Sequence, residues 1–143
     1  MLTTPGTGPS PGATLQAGLH RGVTQTATVS LTTLDDYFGP RPEVSIDLIK
    51  CDVEGHELEV FRGGAQLLKS QAPILMVEIE QRHLRSHSVR DVFDYLERLG
   101  YRGSFFFKGK RQPIERFDLA VHQNRGSGIY VNNFIFTVEE PVS

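Results

Sequence analysis

Apolar and polar positions along this chain switch between a period of two and a period near 3.6, and the switches mark its elements. Through TQTATVSLTT, Thr26, Thr28, Ser30 and Thr32 alternate with Ala27, Val29 and Leu31, which predicts a half-exposed strand. GPRPE, stiffened by Pro40 and Pro42, predicts a turn or linker. VSIDLIKCDV, residues 44–53, is β-branched and apolar between Pro42 and Gly55, and predicts a central strand. From Glu57 the period lengthens: Leu58, Phe61, Ala65 and Leu68 recur at helical spacing, with Glu57, Glu59, Arg62, Gln66 and Lys69 on other faces. Gly63-Gly64 falls inside that helix and costs it propensity, so a kink or a split is expected there. PILMVEIE is a second continuous apolar run, with Pro73 at its start, where a missing N–H does least harm. Ser88 is placed as the N-cap of a second helix through VRDVFDYLERLG, with Val89, Val92, Phe93, Leu96 and Leu99 on one face and Gly100 as its stop. YRGSFFFKGKRQ and IYVNNFIFTV are aromatic and β-branched and predict two further strands with a polar loop between them.

The order is therefore β, β-α-β-α-β, β. A long strand feeding a helix twice over predicts an α/β domain with a mostly parallel, doubly wound sheet and an antiparallel final strand pair. The leading residues 1–22 are rich in Thr, Gly and Pro with few large apolar side chains, which predicts a flexible lead-in to a single domain over 23–143. At 143 residues the chain can bury one ordinary core and not two.

Charge and cysteine content narrow the partners. A net charge of −2 and a pI near 6.2 give no general basic excess, so nucleic acid is not an expected partner. Cys51 is alone, which rules out an internal disulfide framework and a Cys-rich zinc site. No apolar run approaches the ~20 residues of a membrane span, and the amino terminus lacks the order of a secretory signal, so a soluble cytoplasmic protein with no membrane partner is expected.

The candidate chemistry lies where the first long strand turns into its helix. Ligands of open α/β sheets bind beyond the carboxyl ends of strands, and Asp52, Glu54 and Gly55 fall there. Asp52 and Glu54 share one strand parity, so a strand continuing through both would aim them to the same side. Glu57 and Glu59 sit in the helix's first turn, where acids also serve simply as favourable charges at the dipole. His83 and His87 lie on a loop without a third ligand, and Phe105, Phe106 and Phe107 are taken as core.

DLIKCDVEGHELEVFRGGAQLL followed by PILMVEIE resembles the carboxy-terminal half of the FkbM family of S-adenosylmethionine-dependent methyltransferases, whose pattern is approximately IKxDVEGxExxVLxGA, then LL, then PxxxxE. TLDDY before it and NNFIF after it follow the same order, so the resemblance spans about residues 29–136. It implies a class I methyltransferase-like, Rossmann-like fold, S-adenosylmethionine as cofactor, and methylation of a hydroxyl on a small-molecule or glycan acceptor. By position it places Lys50, Asp52, Val53 and Gly55 at the cofactor and Glu54, Glu57 and Glu78 at the substrate, with Asp52, then Glu54 and His56, to orient the hydroxyl or accept its proton. No oxygen-ligand loop is visible and no metal site is assigned.

The family's glycine-rich fingerprint of the DxGANxG kind does not occur upstream; PGTGPSPG follows no strand and is broken by prolines. The resemblance therefore implies a domain lacking its first half, with the strand at 47–53 left with a bare edge. That edge would be covered by the Thr-rich segment 26–32, by a second copy in a homodimer, or by a partner chain. Two other functions stay open: a non-catalytic remnant or interaction module of the same fold, and a metal-dependent phosphoesterase built on the DVE pair.

Overall fold

The computed structural model describes residues 2–5, 24–27 and 29–138. Strand β1 (Leu2–Pro5) pairs antiparallel with β2 (Thr24–Ala27) in a ladder running from Leu2↔Ala27 to Pro5↔Thr24. The lead-in expected over 1–22 thus contains a strand at its start, while 6–22 lie outside the described residues. The strand expected over 26–32 stops at Ala27, and 29–33 form no strand.

Helix α1 (Leu34–Phe38) follows, begun by Thr33, whose hydroxyl accepts from the Asp36 N–H at 3.0 Å. Periodicity misses it because five residues hold barely more than one turn. Asp35 in turn accepts from the Gln66 and Leu67 N–H groups at 3.1 and 2.9 Å, which ties α1 to the start of a later helix.

The main sheet has five strands, β3 (Leu48–Cys51), β4 (Ile74–Glu78), β5 (Tyr101–Phe107), β6 (Lys110–Pro113) and β7 (Asn133–Val138), in the order β3-β4-β7-β5-β6. Only β3 and β4 pair parallel; β4–β7, β7–β5 and β5–β6 are antiparallel, so the sheet is mixed rather than mostly parallel. The cause is the last strand. β4 and β5 run in the same direction, but β7 slots between them and opposes both. The segment 101–112, expected as one strand, is a hairpin turned at Lys108-Gly109, both at positive φ (50° and 73°), as a tight primed turn requires.

The helices match the sequence more closely. The run from Glu57 is split at Gly63-Gly64 into α2 (Glu57–Arg62) and α3 (Ala65–Gln71). At Gly64 an added Cβ would come within 2.8 Å of the Leu34 side chain, so the break also seats α1. Helix α4 (Val89–Arg98) starts in a reciprocal capping box between Ser88 and Asp91, and Gly100 follows it at φ 96°. A short α5 (Leu119–His122) sits before β7.

Helices α2, α3 and α4 cover one face of the sheet. The Phe93 ring lies 4.9 Å from Phe134 and 5.8 Å from Phe136, and the Tyr101 hydroxyl donates to the Leu68 carbonyl at 3.3 Å. Among the described residues no strand pairs with the outer edge of β3, and the Thr-rich strand β2 pairs with β1 instead. Among the described residues no helix is long and apolar enough to cross a membrane.

Candidate functional site

β3 ends at Cys51, and the chain reverses through Glu54 at φ 53° and Gly55 at φ 98°. Glycine accepts that geometry freely; a glutamate held there is strained, a condition that clusters at functional sites. Glu57 locks the turn from inside: its Oε1 accepts from the Gly55 N–H at 3.0 Å and from the Val53 N–H at 3.4 Å. At 2% exposure Glu57 is a strut of the turn and not part of a substrate-facing wall, and its Oε2 has no hydrogen-bond partner among the described residues. Val53 packs against the core and Gly55 is buried, so neither presents an open amide to a cofactor. Burial, followed by the Glu57 carboxylate, pushes the Cys51 thiol up to about 12, an inert buried sulfur.

The remaining acids gather beyond the carboxyl ends of β3 and β4. Lys50 Nζ lies 3.1 Å from Asp52 and 4.0 Å from Glu78, which joins the two strands. Asn132, just before β7, donates to Glu78 at 2.8 Å and to Glu80 at 3.5 Å. Glu80 also accepts from the Tyr130 hydroxyl at 2.9 Å and from the Arg82 guanidinium, whose Nη2 is 3.0 Å away. Glu54 does not join Asp52. The strand stops before either could keep its parity, and Glu54 pairs with His83 Nδ1 at 2.7 Å. His56 is elsewhere again. It lines a cavity of about 630 Å³ with Thr33, Tyr37 and Val60, apart from Asp52, Glu54 and Glu78.

Environment separates two neighbouring glutamates. The hydrogen bond from Arg82, reinforced by that from Tyr130, holds the Glu80 carboxyl down to about 2. Burial, with Asp52 next, raises the Glu78 carboxyl instead, against the opposing pull of Lys50. The two carboxyls are thus pushed in opposite directions, Glu80 down and Glu78 up.

Tyr130, Asn132 and Arg82 escape selection from sequence, and His83 is considered there only as a metal ligand. Tyr130 meets Glu80 across 50 positions and Asn132 meets Glu78 across 54, so only the pairing of β7 beside β4 brings them in. The one usable signal was polar residues opening an apolar strand at Asn132-Asn133. Among the described residues no three of His, Cys, Asp and Glu converge as a metal-ligand set.

This is an α/β domain whose acids, amide and lysine gather at the carboxyl ends of its two parallel strands, the place where open α/β sheets bind their ligands. The chain belongs to the FkbM methyltransferase family: the model of the methyltransferase FkbM domain matches residues 3–102. That match begins and ends earlier than the motif resemblance over 29–136, and it stops short of Tyr130 and Asn132. No curated protein and no solved structure matches the chain.

The family implies a methyl donor. Asp52 and Glu78 set two carboxylates about Lys50, negative charge suited to a cation such as a sulfonium. Such residues fit that end of S-adenosylmethionine. For its amino-acid and adenosyl ends, the turn after β3 offers no open amide, since Val53 and Gly55 already donate to Glu57.

Proposed function

We propose that this domain methylates a hydroxyl of a small-molecule or glycan acceptor with S-adenosylmethionine, in a class I, Rossmann-like arrangement of which β3-β4-β7-β5 form one half. The observation that carries the reading is Glu78: a carboxyl raised by its surroundings, at a parallel strand end, with Asn132 and Lys50 on either side. S-adenosylmethionine, when bound, supplies an electrophilic methyl on a positively charged sulfur. The acceptor hydroxyl donates its hydrogen bond to Glu78, which takes the proton as the oxygen becomes a nucleophile. Asn132 fixes the orientation of that carboxylate, and Lys50, held by Asp52, limits how far its proton affinity rises. Asp52 contributes negative charge toward the sulfonium. Glu54 and His83 form a second acid–imidazole pair at the rim, and the anionic Glu80 anchors Arg82, Tyr130 and Asn132 as the wall behind.

Calorimetric titration of S-adenosylmethionine and S-adenosylhomocysteine into the chain tests this, alongside methyl transfer to a panel of sugars and glycans. Saturable binding that Asp52→Asn weakens, and transfer that Glu78→Gln lowers by about 100-fold while binding persists, are the expected results. No binding by the folded chain would overturn it in favour of a non-catalytic module of the same family.

A further inference from the structure

On the sheet face opposite the helices, away from the acid cluster, lies a concavity of about 470 Å³ whose lining includes Arg102, Ser104, Arg111, Gln112 and Thr137. The register builds it. Arg102 pairs with Thr137 and Ser104 with Ile135 across β5–β7, while Ser104 pairs with Pro113 and Phe106 with Arg111 across β5–β6. Positions two apart share a face, so both arginines and both hydroxyls stand on the same side of the sheet. Ser104 is buried at 6% exposure; its hydroxyl donates to the Ile135 carbonyl at 3.3 Å and accepts from Arg111 Nε at 2.9 Å. That contact pins the Arg111 stem and leaves its terminal N–H groups without a partner among the described residues. The Arg102 side chain has no ion pair or hydrogen bond among the described residues, and the concavity contains a single acid, the exposed Glu115.

Two guanidinium groups thus share the concavity with one carboxylate. The guanidinium fork is the side chain best shaped for bidentate contact with a planar or tetrahedral oxyanion. A volume of about 470 Å³ falls within the usual size of small-molecule sites. We infer that the Arg102–Ser104–Arg111 concavity binds an oxyanion, phosphate or carboxylate, carried by a small metabolite. The site does not depend on the methyl-transfer proposal, since it shares no residue with the acid cluster.

Inorganic phosphate, glucose 6-phosphate and glucuronate titrated into the chain at low ionic strength, followed by amide chemical shifts, test it. Saturable shifts centred on β5 and β6 are expected, with affinity falling about tenfold in Arg102→Gln and again in Arg111→Gln. Lys108→Gln, on the same hairpin but outside the concavity, should leave affinity within about twofold. Tighter binding of glucose 6-phosphate identifies a phosphate site and tighter binding of glucuronate a carboxylate site. Absence of saturation by all three anions, or equal weakening by Lys108→Gln, would overturn the inference; unchanged circular dichroism of the exposed variants shows that folding is not the cause.

Discussion

The two faces of the five-stranded sheet are built from equally apolar strands and meet opposite fates. On the helix side Leu75, Val77, Phe134 and Phe136 are fully buried. On the other side Leu48, Ile74, Met76 and Phe106, from the same strands or their neighbours, are between 40% and 57% exposed. Helices α2, α3 and α4 all lie against the first face, so the sheet is a wall packed on one side and open to solvent on the other. Lys50, Glu78, Arg102 and Arg111 all belong by register to the open face. Stability and the proposed function therefore fall on opposite surfaces of one sheet, and the division can be tested residue by residue.

The largest effect belongs to the packed side. Phe134 touches Phe93, Phe105 and Phe117 at ring-centroid distances of 4.9, 6.3 and 5.2 Å. Phe134→Ala removes that shared centre and leaves a cavity, and urea unfolding should show a loss of about 3 to 5 kcal/mol. A smaller loss would mean that the helices close onto the gap.

Gly103 sharpens the same point from the opposite direction. A Cβ there would stand 2.6 Å from both Ile114 Cδ1 and Phe136 Cε1. Gly103→Ala adds one methyl to a face with no room for it and should cost about 1 to 3 kcal/mol, read as a lower unfolding midpoint. A neutral result would show that the packed face is looser than its burial suggests.

Between packing and surface sits Glu80, buried yet ionic. Its folded carboxyl lies near 2, well below the ordinary 4.5, so it stabilises the fold above the unfolded value and loses that contribution as pH falls from about 4.5 toward 2. Acid unfolding of Glu80→Gln, which lacks this titration, should show a shallower loss of stability across that window. An unchanged acid limb would remove the Arg82–Glu80–Tyr130 contacts from the account.

How much of this was visible in the sequence follows the same boundary. Local signals were legible: Gly63-Gly64 split a helix, Ser88 capped one, and the DVEG turn and Glu78 marked the strand ends where acids gather. Contacts set by strand order were not. A continuous run such as PILMV implies burial on both faces, and nothing in it distinguishes the covered Leu75 and Val77 from the exposed Ile74 and Met76. The apolar run at 105–107 predicts three core phenylalanines, yet alternation buries Phe105 and leaves Phe106 at 57% exposure. Likewise Asn132 reaches Glu78 only because β7 inserts between β4 and β5, a fact of topology that no local window contains. Even the turn at Glu54 hid its own arrangement: the motif named Glu57 as substrate-facing, while the positive φ angles at Glu54 and Gly55 aim two amides at it and draw it inside.

The smallest expected effect is the most exacting test of the division. Met76 alternates with Leu75 and Val77 on β4, pairs with Ile135, and remains 40% exposed. If the open face is solvated, Met76→Thr exchanges a flexible apolar side chain for a β-branched polar one with good strand propensity, and stability should change by no more than about 0.5 kcal/mol. The same substitution one position along, Val77→Thr, buries a hydroxyl among apolar side chains and should cost about 1 to 3 kcal/mol. Comparable losses at both positions would mean that in solution the second face is packed as the first is, and the roles proposed for Lys50, Glu78 and the two arginines would have to be rebuilt on a covered surface.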